Sequence, residues 1–172
     1  MVTLRCTQKL RQKLGARPIQ EGEPSTTSLG DWYGNLFSTR HARLIVFVSE
    51  RSRLAVLLHG RDFSTLEARL RAAVVELLTQ LDISEEATKR EVEAMAEVAY
   101  APTRSRSVLG TMNDYYRALR WELEAHPMLT LTQYALRLSE TPCGPMKYAS
   151  PDDVTRFLLS EWRTWSFTPQ VQ

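Results

Sequence analysis

The run Thr103-Arg-Ser-Arg-Ser-Val-Leu-Gly-Thr-Met-Asn-Asp-Tyr-Tyr116 sets two arginines and several hydroxyls at the start of a helical pattern. Arginine side chains stay charged and bind phosphate or carboxylate through several planar donors. Helix-start amides with no intrahelical acceptor can add to the same spot, so the chemistry on offer is anion binding. Arg104 and Arg106 would supply charge, Ser107 and Thr111 hydroxyl donors, and Gly110 a close backbone approach or a left-handed turn. The plain alternative is an exposed basic loop whose Ser or Thr merely caps the helix. The lysine and glycine spacing of a nucleoside-triphosphate loop are missing.

Asn113 and Asp114 follow at once. Both residue types favour a first helical turn, where they cap. Asp114 could instead orient an arginine, accept a proton or hold a divalent metal, given a second carboxylate. Asp31 is the candidate for that second group. It lies in Leu29-Gly-Asp-Trp-Tyr-Gly-Asn-Leu36, where a strand would put Asp31, Tyr33 and Asn35 on one face and Trp32, Gly34 and Leu36 on the other. Such a polar row can line a ligand pocket. It can equally be the solvated side of a sheet, with Gly30 and Gly34 marking a turn and a bulge.

Other chemistries find less support. His41, His59 and His126 fall in a turn, at a strand end and at a helix end. No HExxH, HxH or Cys/His pair occurs, so no metal site is expected, and no motif specifies a cofactor. Cys6 and Cys143 are far apart, and Cys6 sits in a strand pattern where a thiol is a small core residue. Basic residues recur at Lys9, Arg11, Lys13 and Arg17 and at Arg40, Arg43, Arg51 and Arg53. With Trp32 and Tyr33 nearby a nucleic-acid surface is conceivable, although solvated turns explain them more simply. Trp121, Trp162, Trp165 and Phe167 are expected in core or C-terminal packing.

These residues must be positioned by a domain of ordinary composition. Its 172 residues, 43% hydrophobic and 24% charged, suffice for one domain, 1–172, with a real core. Twenty-two basic against 20 acidic residues give a net charge of +2, too balanced to argue for nucleic acid in bulk. No secretion signal or run of spanning length is seen, so a cytoplasmic protein without membrane contact is expected.

Alternation predicts a strand near 2–6, an aromatic-rich stretch predicts one near 32–37, and near-continuous apolar runs predict a hairpin near 44–48 and 54–58. Thr7 is expected to cap a short helix that Gly15 ends, and 16–28 is a long loop with two prolines. Helical spacing predicts helices near 64–81, 83–99, 111–125 and 151–163, with Ser64/Glu67 and Asp82/Glu85 as capping boxes. The last helix should bury Val154, Phe157, Leu158 and Trp162, and residues 129–138 fit either a strand or a helix. The fold class is α+β: a small, mainly antiparallel sheet covered by helices.

Three segments together resemble a known family. They are T-x-K-L after a short strand within Thr3–Leu14, L-G-D-W-Y-x-N-L at Leu29–Leu36, and R-S-V-L-G-x-M-N-D at Arg106–Asp114. The last is the specific one. The resemblance is to a small bacterial family classed only as a domain of unknown function. It implies a single bacterial domain, draws attention to Arg106, Gly110, Asn113 and Asp114, and carries no established activity.

The expected function is a binding or regulatory module for an anionic ligand: a nucleotide, a nucleic-acid phosphate or an acidic protein surface. One alternative is a metal-assisted hydrolase or phosphoryl-transfer enzyme using Asp31 and Asp114, with the arginines stabilising charge. Another is a structural interaction domain using the aromatic C-terminus.

Overall fold

The computed structural model describes residues 1–15, 24–40, 42–147 and 149–160. Arg17, His41, Trp162, Trp165, Phe167, residues 16–23 of the expected loop and residues 161–163 of the expected last helix lie outside them.

The order of elements is β1 (Val2–Cys6), α1 (Gln8–Leu14), β2 (Trp32–Ser38), β3 (Arg43–Ser49), β4 (Ala55–His59), α2 (Leu66–Gln80), α3 (Glu85–Ala94), β5 (Val98–Pro102), α4 (Arg106–Ala125), α5 (Leu131–Ser139) and α6 (Pro151–Ser160). The strands form one mixed sheet in the order β4-β3-β2-β1-β5. The hairpin partners β2, β3 and β4 are antiparallel and carry most of the ladder. β1 runs parallel to both β2 and β5. The α+β class holds, with the antiparallel strands on one side of β2.

The apolar runs explain why both sheet faces are covered. Trp32 and Tyr33 are adjacent, point to opposite faces and are both fully buried. Leu10 of α1 packs beside Gly34 and Phe47, and α2 reaches the same face where Glu67 accepts the Tyr100 hydroxyl at 2.8 Å. On the opposite face α4 stacks Tyr116 on Phe37, with ring centroids 4.6 Å apart. The α2 stripe of Leu66, Leu70, Val74, Leu77 and Leu78 is buried as its spacing predicts. Residues 131–139 resolve as helix, capped by a reciprocal Thr130/Gln133 pair.

Several expectations are corrected. The helix expected over 83–99 ends at Ala94, and Val98–Pro102 is a strand instead. Val92, Met95 and Val98 keep helical spacing, yet β5 docks residue for residue on β1, from Val2↔Val98 to Cys6↔Pro102. Tertiary pairing therefore overrides local pattern, and Pro102 is tolerated because β5 is an edge strand. The helix expected over 111–125 begins five residues earlier, at Arg106, because Ser105 accepts the Val108 amide as its cap.

Neither expected capping box forms. A 3-10 turn over Phe63–Thr65 precedes α2, and Ser84 caps α3 while Asp82 takes a left-handed φ of 58°. Thr7 precedes α1 but does not cap it, because its hydroxyl donates to Asn35 Oδ1 at 2.7 Å. Trp121 is 62% exposed and Phe157 57%, so neither packs in the core. Trp121 falls on the outer side of α4, and α6 turns Pro151, Thr155 and Leu159 inward instead.

Candidate functional site

The end of the sheet where β2 begins and β3 finishes gathers most of the singled-out residues. The turn Thr27–Gly30 brings the chain into β2, with Gly30 at a φ of 78° that only glycine adopts readily. Glu91 of α3 anchors this turn from below, accepting the amides of Ser28 at 2.7 Å and Leu29 at 3.0 Å. Burial raises the Glu91 pKa above the ordinary value despite those amides, which act in the other direction. Its position among the many charged residues of α3 gave no sequence sign of this task.

Asp31 follows the turn and is almost wholly buried. Its Oδ2 receives Arg5 Nε at 2.5 Å, and its Oδ1 receives the Ser25 hydroxyl at 2.5 Å. Arg5 comes from β1, whose register sets it directly beside Tyr33. Arg104, from the link between β5 and α4, lays its Nη2 3.6 Å from Asp31 Oδ2 and 3.7 Å from Glu50 Oε1. Tyr33 donates to the same Glu50 oxygen at 3.3 Å. Burial, then the charge of Glu50, raises the Tyr33 pKa. Partial burial works against the charge on Arg104, but Tyr33, Glu50 and Asp31 outweigh it and hold its pKa above the ordinary value.

The result is a closed set of two arginines, two carboxylates and a tyrosine. Formal charges cancel within it, so Arg104 already has its counter-ions. Arginine at a site of this kind is an ion-pair partner first.

Arg53 links this set to α4. Its backbone is left-handed, with φ 62°, and its Nη1 donates to the Glu50 carbonyl at 2.6 Å. Its Nη2 donates to Ser107 Oγ at 3.2 Å, and its own carbonyl accepts the Tyr115 hydroxyl at 2.9 Å. Burial lowers the Arg53 pKa, offset in part by Cys143, Glu50 and the tyrosines. Tyr115 is strongly raised by burial and by the Cys143 thiol 3.5 Å from its hydroxyl. Cys6 and Cys143 are both buried, and neither forms a disulfide.

At the start of α4 itself Arg106 meets no acid among the described residues. The first turn contains no acidic residue, unlike those of α2, α3 and α6. Ser105 takes the Val108 amide with its hydroxyl and the Leu109 amide with its carbonyl, and the amides of Arg106 and Ser107 have no acceptor among the described residues. Arg106 is exposed and makes no hydrogen bond or ion pair with another described residue. Ser107 is exposed too, its hydroxyl turned to Arg53.

The remaining candidates lie apart from one another. Asn35 is held by Thr7 and caps the amide of Leu36. Asp114 is exposed and pairs with Arg117 at 3.1 Å, sharing no partner with Asp31. Asn113 and Gly110 are exposed along the same helix. Among the described residues no three His, Cys, Asp or Glu side chains gather as a metal centre requires. The polar row of the LGDWY segment is thus neither pocket nor solvated face: Asp31 and Tyr33 are buried and Asn35 is partly buried. Two clefts open elsewhere. One of about 340 Å³ lies between α3 and α6, and one of about 430 Å³ is lined by Leu44, Pro127, Leu129 and Tyr134. Neither touches Asp31, Tyr33, Arg104 or Arg106.

Fold and site define a single-sheet α+β domain whose sheet end is locked by an arginine–carboxylate set beside an acid-free helix start. Residues 3–154 match a family described as a domain of unknown function, DUF6933, and the chain belongs to that family. A search of curated proteins finds no match. Among the described residues no helix is long and apolar enough to cross a membrane.

Proposed function

We propose that this domain is a binding module that recognises an anionic group at the start of α4. The observation that carries the reading is the acid-free first turn of a 20-residue helix whose two leading amides and Arg106 have no described partner. Helix dipole, amides and guanidinium act in the same direction there, and phosphate is the anion best suited to that combination. Arg53 fixes the Ser107 hydroxyl, and Arg104 stays with Asp31 and Glu50, so Arg106 is the cation offered to the ligand.

The test is calorimetric titration of the parent and of an Arg104→Ala/Arg106→Ala variant with inorganic phosphate, a nucleoside triphosphate and a short oligonucleotide. Binding by the parent that weakens at least tenfold in the variant supports the reading. Equal binding by both proteins, or none by either, ends it. The oligonucleotide arm separates a nucleic-acid ligand, whose affinity falls steeply with added salt, from a small phosphate ligand.

A further inference from the structure

The geometry points to a second copy of this chain as the partner of the outer side of α4, packed antiparallel across a twofold axis at Gly110. Gly110 is the fifth residue of α4, well inside the helix, and its φ is not positive. A Cβ added there meets nothing within 4 Å. Among the described residues nothing therefore requires glycine there, although glycine in a helix interior costs about 1 kcal/mol relative to alanine. A residue without a side chain at an exposed helix position serves an approach from outside, because the residues at the contact set how closely two helix axes come together.

The residues around Gly110 identify what approaches. Arg106, Gly110, Asn113, Asp114 and Arg117 recur at helical spacing on one exposed side of α4. Arg106 and Asp114 lie four residues to either side of Gly110, and Ser107 and Asn113 three. Such spacing is self-complementary for an antiparallel pair. With Gly110 facing its own copy, Arg106 faces Asp114 of the second copy and Ser107 faces Asn113, and the twofold repeats both contacts. Arg106 has no counter-ion among the described residues, and Asp114 has only the exposed Arg117, a pairing of little worth in water. A parallel pair would instead set Arg106 against Arg106. The contact is one helix wide, so it falls below the roughly 1,200 Å² of a standard interface and the dimer is weak.

Sedimentation equilibrium at a protein concentration on the order of 100 μM tests this, a range suited to weak association. The parent is expected to approach twice the 19.7 kDa chain mass. Arg106→Glu alone and Asp114→Arg alone should each remain monomeric, since each sets like charges across the axis twice. Mixing the two variants should restore the dimer, because both cross-axis pairs then become opposite. A monomeric parent, an undiminished dimer in either single variant, or a mixture that stays monomeric overturns the proposal. Crosslinking is an independent readout. Gly110→Cys on the axis should oxidise to a covalent dimer faster than Glu124→Cys on the same side but off the axis, and equal rates overturn the proposal. Asp114→Arg retains Arg106 and the α4 amides, so phosphate titration of that variant keeps the anion reading separable from this one.

Discussion

Arg5 Nε sits 2.5 Å from Asp31 Oδ2 with both side chains almost entirely out of solvent. This pair joins the second residue from the end of β1 to the residue just before β2, two strands that run parallel. It is the fixed point of the sheet end, and the Arg104 and Glu50 contacts are built outward from it.

Removing one partner should therefore expose an uncompensated charge. Asp31→Asn leaves Arg5 buried with a neutral neighbour and should destabilise the domain by about 3–5 kcal/mol. Arg104→Ala removes a largely exposed partner at longer range and should cost no more than about 1 kcal/mol. Urea unfolding of the two variants decides the point, and equal losses would show that Arg104 is as structural as Arg5.

The glycines at 34 and 110 should respond with opposite signs. A Cβ at Gly34 comes within 2.5 Å of Phe47 and 2.9 Å of Leu10, both buried, so Gly34→Ala must shift the core. The expected loss is about 1–3 kcal/mol. Gly110→Ala meets open space and replaces glycine in a helix, so it should raise the unfolding free energy by about 0.5–1 kcal/mol at concentrations where the chain is monomeric. Thermal unfolding of dilute protein measures both, and destabilisation by Gly110→Ala would mean that a monomer contact requires the glycine.

The contrast between these glycines marks how far the sequence could be read. Gly34 stands between Tyr33 and Asn35 in a strand, and only the fold reveals that its bare face seats Phe47 and Leu10. The strands β1 to β4 were legible as short apolar-rich runs bounded by turns, and the long α2 stripe by its helical spacing, and both are buried. β5 was not, since Val98 continues the apolar spacing of α3 and its strand state depends on pairing with β1 across about ninety-six residues of chain. The site was legible in part. Arg104 and Asp31 stood out by type, yet their mutual contact, the matching role of Arg5 and the capping by Glu91 arise from elements remote in sequence.

Glu91 should make folding depend on pH in a defined direction. Its pKa is raised in the folded state above the ordinary 4.5 by burial. A carboxyl whose folded pKa lies higher binds its proton more tightly when folded, so its favourable contribution is complete below about pH 4.5 and fades as pH rises through the folded value. In Glu91→Gln that dependence should vanish. The stability difference between parent and variant, followed by urea unfolding from pH 4 upward, should move against the parent with rising pH and then level. A flat difference would place the folded pKa at the unfolded value.

The first turn of α4 offers the sharpest test of its electrostatics. Ser107→Asp would put a carboxylate beside Arg53 and next to Arg106, at the positive end of the helix dipole. The substituted side chain would then occupy the role assigned to a bound anion. Without added phosphate, the variant should gain about 0.3–1 kcal/mol of stability, the usual worth of an acid in the first helical turn. With phosphate present the gap should close, because the parent gains stability by mass action as phosphate rises above its dissociation constant and the variant does not. Melting temperatures across a phosphate series, at ionic strength held constant with chloride, separate specific binding from screening. Parallel curves for the two proteins would show that phosphate acts elsewhere, whereas convergence of the parent on the variant would locate the effect at Ser107 and its neighbours.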